Sequence, residues 1–152
     1  MKIRKAKIDE ARKIIELHEE TIRRVNSKDY PQEQIEAWIG KRQIEKTENM
    51  IKDGVYFLAL ENDSIVGIGA IIVDNIIGLY VSADRQNQGI GTAILNAMEQ
   101  DAKKNGIYEL SGDSTITAMP FYQQHGYIIA EMKTVQIAQG QTLNVYPIKK
   151  II

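Results

Sequence analysis

An α+β fold, with a mixed and mostly antiparallel sheet flanked by helices, follows from three features of the sequence. Apolar residues recur at helical spacing between Ile8 and Ile39, and three β-rich runs separated by short polar turns follow between Val55 and Val81. A strand, a polar loop, a helix and a second strand then run in succession from Ile76 to Leu110. The three runs make an antiparallel meander, whereas strand, helix and strand in sequence close right-handed with their strands parallel. The sheet is therefore mixed.

Lys2 to Ala6 is the expected first strand. Ile8, Ala11, Ile15, Ile22 and Val25 follow as a helix stripe, with Asp9 as its start signal and Asn26-Ser27 as its polar break. Tyr30-Pro31 opens a second helical region in which Ile35, Trp38 and Ile39 share a face, and Lys52-Asp53-Gly54 ends it. Val55 to Leu60, Ile65 to Val73 and Ile76 to Val81 are the meander, turned by Glu61 to Ser64 and by Asp74-Asn75. Ile90, Ile94, Ala97, Met98 and Ala102 mark the crossover helix, which Asn105-Gly106 stops. Ile107 to Leu110 returns as the parallel strand, and Thr117 caps a short helix running to His125. Pro120 is tolerated in its first turn, where amide hydrogens lack helical acceptors. Tyr127 to Val135 and Thr142 to Ile148 are two closing strands.

At 152 residues the chain suits one domain spanning residues 1–152. Nineteen basic against twenty acidic residues give a net charge of -1, unlike the basic footprint of a nucleic-acid binder. Cysteine is absent, which removes disulfides, thiolate metal sites and an acyl-cysteine intermediate. Met1 to Ala6 lacks the apolar core of a secretory signal, and the longest apolar run, Ile65 to Val73, falls far short of the ~20 residues that span a bilayer. A cytoplasmic protein without nucleic-acid or membrane partners, monomeric or homodimeric, is expected. Asn62-Asp63-Ser64 fits a glycosylation pattern, but reads as a turn in that setting.

The stretch from Leu79 to Leu95, LYVSADRQNQGIGTAIL, carries the chemistry: an apolar strand, a polar loop, two glycines spaced by one residue, then a helix. Amides at a helix start have no intrachain acceptor, and the helix dipole adds partial positive charge there. Gly89 and Gly91 let phosphate oxygens approach the backbone, while Arg85, Gln86 and Gln88 offer donors from the rim. A pyrophosphate-bearing ligand is expected. A dinucleotide fingerprint would need glycine at Ile94, and Gly67-Ile68-Gly69 fails the same test at Ile72; the Gly-Lys pair of a P-loop is missing as well.

RQNQGIG resembles the acyl-CoA pyrophosphate motif of the GNAT acetyltransferases, Gln/Arg-x-x-Gly-x-Gly/Ala, matched here by Gln86, Gly89 and Gly91. Further along, STITAMPFYQQHGY, Ser114 to Tyr127, is similar to the family's later signature of an alanine, a Phe-Tyr pair and a Gly-aromatic pair. The order of elements from Lys2 to Ile148 agrees with the GNAT fold, so the resemblance covers nearly the whole chain. DYPQEQIEAW and the ITAMPFY phrase further resemble a small bacterial branch of that superfamily.

The resemblance implies an N-acetyltransferase in which acetyl-CoA is the acyl donor and a small-molecule or peptide amine the acceptor, with no metal. Cofactor contacts are implied for Leu79 and Val81 on the strand, for Gln86, Asn87, Gln88, Gly89, Ile90, Gly91 and Thr92 in the loop and helix start, and for Thr115. Thr115 stands where many relatives have asparagine, and its hydroxyl, or that of Ser114, is equally suited to capping. The strand before the loop is implied to splay from the strand after the crossover helix, freeing the main chain of Val81 to pair with pantetheine. Tyr122 occupies the position of the tyrosine that protonates the departing thiolate; a phenol stays protonated at neutral pH.

A general base is not evident. The resemblance aligns Asn75 with a glutamate base that asparagine cannot replace, and neighbouring Asp74 faces the other side of a regular strand. A water relay or a substrate-supplied base serves equally. His18 lies near the stripe of the first helix, and His125 reads as a helix C-terminal cap; His18-Glu19-Glu20 lacks the second histidine of a zinc helix. Tyr30 and Trp38 lie where the family shapes its acceptor pocket, Trp38 as core or as pocket wall. A non-catalytic acyl-CoA sensor, or an acyltransferase using another acyl-CoA, satisfies the same loop.

Overall fold

The computed structural model describes residues 1–152. Its sheet has eight strands: β1 (Lys2–Lys5), β2 (Tyr56–Glu61), β3 (Ser64–Ile72), β4 (Asn75–Val81), β5 (Glu109–Thr115), β6 (Ile128–Ile129), β7 (Lys133–Gln136) and β8 (Thr142–Ile151). They run in the order β1-β2-β3-β4-β5-β8-β6, with β7 also on β8, and only the β4–β5 pair is parallel. The expected α+β fold is thus the observed one. The two-residue turn between β2 and β3 places Asn62 and Asp63 at positive φ, the conformation a tight hairpin asks for.

Helices α1 (Ala11–Arg24), α2 (Gln32–Ile39) and α3 (Ile44–Lys52) precede the meander, α4 (Ile90–Lys104) crosses from β4 to β5, and α5 (Met119–Gln124) follows β5. The second helical region is two helices and not one, because Gly40 ends α2 at φ 52°, a value that breaks the helix. On α1 the buried stripe is Ala11, Ile14, Leu17, Thr21 and Ile22, while Ile8 is exposed and lies in a 3-10 turn before the helix. Ile15 is therefore off the stripe. Thr117 does not cap α5; its hydroxyl donates to Asp29 at 2.7 Å, and Thr115 Oγ1 accepts from the Ala118 amide instead. The first closing run is split into β6 and β7: the Ala130 amide still donates to the Pro147 carbonyl, but proline has no N–H to return, and Glu131 and Met132 leave the ladder.

Three apolar clusters hold the layers. One packs α4 and α5 on one face of the sheet, through Ile94, Leu95, Met98, Leu110 and Tyr122. A second packs α1 and α3 on the opposite face against Leu58, Leu60 and Ile68. Each such Leu or Ile contributes roughly 1.5–3 kcal/mol on burial. The third joins Ile22, Tyr30, Ile35 and Ile39 to Leu143 and Val145 of β8.

Two features of β4 position the site. Ala70 pairs with Gly78 and Ile71 with Ile76, so Ile77 is an extra residue and β4 bulges there. The bulge resets the alternation: Ile76, Leu79 and Val81 face α4, while Tyr80 packs against the clusters on the other face. Pairing with β5 stops at the same point, with Asn75↔Ser111 and Ile76↔Gly112 the only registered pairs. Beyond them the two strands splay.

Candidate active-site cleft

The splay opens a cleft of about 450 Å3 between β4, β5, the loop before α4, and α5. The Ser82 amide donates to the Val66 carbonyl, so Gly67 and Val81 form a pair that exchanges no main-chain hydrogen bonds. The alternation that follows turns the amide and carbonyl of both Leu79 and Val81 toward the cleft. The Val81 carbonyl accepts from Gln86 Nε2 at 2.7 Å, which anchors the loop to the strand. Val81 N–H and both Leu79 groups stay free.

At the start of α4, Gly89 is the N-cap at φ 81°, a left-handed value that glycine takes without cost. No side chain caps this helix. Its first main-chain bond runs from Ala93 to the Gly89 carbonyl, so the amides of Gly89, Ile90, Gly91 and Thr92 have no main-chain acceptor. Unpaired amides combined with the dipole of a fifteen-residue helix favour an anion at this mouth. Asn87, also left-handed at φ 59°, completes the turn into it. A Cβ on Gly91 would stand 3.2 Å from the Phe121 ring, so glycine there lets α5 close on the helix start.

The eleven residues expected from the sequence converge on this one cleft. Leu79 and Val81 line one wall, Gln86 to Thr92 the mouth, and Thr115 and Tyr122 the opposite side. Tyr122 is 4% exposed and packs edge-on against Phe121 and Tyr127. Burial pushes its phenol well above the ordinary tyrosine value, with the nearby Tyr80 phenol pushing the same way and no hydrogen bond opposing. Tyr122 is therefore protonated at neutral pH. Thr115 Oγ1 accepts from the Ala118 amide, which leaves its hydrogen free to donate, whereas Ser114 is buried and donates to the Thr115 carbonyl.

His125 does sit at the helix C-terminus, and it links two elements besides. Its Nδ1 donates to the Phe121 carbonyl at 2.7 Å, so in the neutral ring Nε2 accepts from Thr92 Oγ1 at 2.9 Å. Arg85 also lines the cleft, with its guanidinium paired with Glu61 and hydrogen-bonded to Gln88 Oε1. Asp74 and Asn75 line neither this cleft nor the cavity described next. No three His, Asp or Glu side chains converge anywhere in the chain.

A second cavity, of about 600 Å3, lies on the other face of β4, under α1 and the α2–α3 connection. Ile77, Gly78 and Tyr80 line both spaces, so the two adjoin across the bulged strand. Trp38 is a wall of this cavity, whereas Tyr30 lines neither space. The Tyr30 hydroxyl donates to the Asn144 carbonyl and accepts from the Ile116 amide, a structural staple.

Sequence reasoning missed Tyr80, Thr21 and Asn26. Thr21 and Asn26 line the first cleft with Oγ1 and Oδ1 buried and unpartnered. They stand on α1 and the turn after it, far in sequence from the loop. Tyr80 carried one signal, a polar-tipped aromatic inside an otherwise aliphatic strand.

Comparison with known proteins places these features. Residues 26–142 match the family model described as an acetyltransferase (GNAT) domain. YafP of Escherichia coli strain K12, an uncharacterized N-acetyltransferase, is 27% identical over 120 residues, covering 79% of this chain and 76% of that protein. A GCN5-related N-acetyltransferase from Rhodopseudomonas palustris, further described as an aminotransferase of class II, superposes with a TM-score of 0.93 at 25% identity, over 99% of this chain and 95% of the other. PaiA N-acetyltransferase from Thermoplasma acidophilum, solved in complex with coenzyme A, gives a TM-score of 0.79 at 22% identity, over 99% and 98%.

Proposed function

The chain belongs to the GNAT acetyltransferase family, and from that premise we propose that it moves the acetyl group of acetyl-CoA to a primary amine by direct attack, with donor and acceptor bound together. One observation carries this reading. Four unpaired amides, Gly89 to Thr92, stand at the mouth of a cleft whose opposite side presents the unpartnered hydroxyl of Tyr122. The PaiA structure, of the same fold, holds coenzyme A, which supports the donor class.

In this reading the Gly89 to Thr92 amides hold the coenzyme diphosphate, and the side chains of Gln86, Asn87 and Gln88 border it. Leu79 N–H and C=O and Val81 N–H extend the sheet toward the pantetheine amides across the splay, with the Thr115 hydroxyl facing them. Acetyl-CoA supplies an activated acyl group. The amine lone pair forms the N–C bond, the C–S electrons leave on sulfur, and the proton shed by the amine passes to water. Tyr122 gives its proton to the sulfur and regains one from solvent. A phenol raised by burial stays protonated at neutral pH, so it is present as a hydrogen-bond and proton donor when the sulfur leaves.

Calorimetric titration with acetyl-CoA and CoA, followed by thiol release with a panel of amines, tests the reading. Tyr122→Phe is expected to lower kcat about 100-fold while acetyl-CoA affinity stays unchanged. Failure of the wild type to bind any CoA thioester at millimolar concentration would sink it. Binding with no turnover on any amine would favour a sensor.

A further inference from the structure

The second cavity has an unusual charge inventory. Lys41, Arg42 and Lys46 line it, and no aspartate or glutamate does, although acidic residues outnumber basic ones in the whole chain. None of these three cations takes part in an ion pair, whereas nine pairs form elsewhere. The Arg42 guanidinium lies within electrostatic reach of Tyr56, Tyr80 and His18; Glu19 is the carboxylate nearest in effect and makes no contact with it. Opposite the cations the wall is apolar, formed by Ile14, Trp38, Ile39, Ile68 and Met50. Gly40 sets this up: by ending α2 it turns the chain so that Lys41 and Arg42 cap the cavity.

We propose that this cavity takes an amine that also carries a carboxylate and an apolar side group, an α-amino acid with a hydrophobic side chain, whose carboxylate pairs with Arg42. The inference rests on the acetyl-transfer reading above and names its acceptor. A guanidinium among aromatic walls matches a carboxylate in planar, bidentate fashion. Ile77, Gly78 and Tyr80 are shared with the donor cleft, so in this proposal an acceptor anchored at Arg42 points its amine toward the bulge that borders both spaces. Polyamines and lysine-rich peptides, which bring further positive charge, are repelled.

The test compares leucine and phenylalanine with their decarboxylated counterparts, isoamylamine and phenethylamine, and with spermidine, by thiol release at saturating acetyl-CoA. The amino acids are expected to give the highest kcat/KM. Arg42→Met should raise their KM about 10–100-fold, leave the KM of the decarboxylated amines within a factor of about two, and leave acetyl-CoA affinity unchanged. Arg42→Lys should recover part of the loss. Should Arg42→Met fail to fold, thermal shift of the wild type decides: N-acetylleucine is expected to stabilise it and N-acetylisoamylamine not. Preference for spermidine or for a decarboxylated amine overturns the proposal, as does equal stabilisation by both products. If acetyl-CoA itself does not bind, the acetyl-transfer reading fails; if it binds and the amino acids do not react, this inference alone fails.

Discussion

His18 shows how much one residue's setting changes its chemistry. Helix α1 carries it beneath Tyr80, ring centroids 4.2 Å apart and edge to face, and its Nε2 is sealed without a partner. Burial, with a smaller push from Arg42, lowers its pKa from 6.5 to about 3. The unfolded chain thus takes up a proton near 6.5 and the folded protein only near 3, so between these values the unfolded state holds the extra proton. Stability attributable to a neutral His18 is complete above 6.5 and lost as the pH falls through that window, at a slope of at most about 1.4 kcal/mol per pH unit. His18→Leu is expected to flatten this slope, read as denaturant midpoints from neutral pH down toward 3. An unchanged pH profile would mean the ring is hydrated in solution. The sequence placed His18 beside the apolar stripe, but its burial depends on the Tyr80 ring folding back over Gly78, where an added Cβ would lie 2.8 Å from that ring. Such a contact between distant segments leaves no local signal.

At the level of elements, helix α4 aims its N-terminus at the cleft because it lies directly on β3. A Cβ on Gly67 would stand 2.7 Å from Ile94, and one on Gly69 would stand 2.9 Å from the Met98 sulfur. Gly67-Ile68-Gly69, which fails as a nucleotide fingerprint, permits close packing of helix on strand. Gly69→Ala is expected to cost about 1–3 kcal/mol by overpacking. Because α4 would be displaced with its free amides, acetyl-CoA affinity should fall too; a stability loss with unchanged affinity would show that the helix start is held by Gln86 and His125 alone. Most elements were legible because their periods are strong: the α1 helix, the meander and the α4 pattern lie where expected, although of the expected α1 stripe only Ala11 and Ile22 belong to the buried face. The α2–α3 break and the β6–β7 split were not, since each depends on a few residues of backbone geometry within a segment of continuous pattern. Loop residues Gln86 to Thr92 were legible because the motif is local, whereas Thr21 and Asn26 reach the cleft only through tertiary packing.

Over the whole molecule, the cleft exists because two parts of one sheet are joined at a short seam. β1 to β4 are antiparallel among themselves, as are β5, β8, β6 and β7, and between the two sets only Asn75↔Ser111 and Ile76↔Gly112 pair in register. The Ser111 amide adds one bond to the Asp74 carbonyl at 3.0 Å. Away from the seam the parts are tied by Lys150 and Tyr127 on Glu99, by the Tyr30 staple and by the α4 cluster. Gly112 is the closest point of the seam, for a Cβ there would lie 2.7 Å from the Ile76 carbonyl oxygen, a main-chain atom that cannot swing aside. Gly112→Ala must therefore part the strands or bend them. A loss of about 1–3 kcal/mol in unfolding free energy is expected. Amide exchange should quicken at Ser111 and Ile76 beyond what that global loss explains, and acetyl-CoA affinity should drop, because the splay sets the distance between the Val81 amide and the Tyr122 hydroxyl. If the outer ties alone fixed the opening, stability would fall while the coenzyme bound as before; a coupled fall in both places the geometry of the cleft in the two residue pairs at its base.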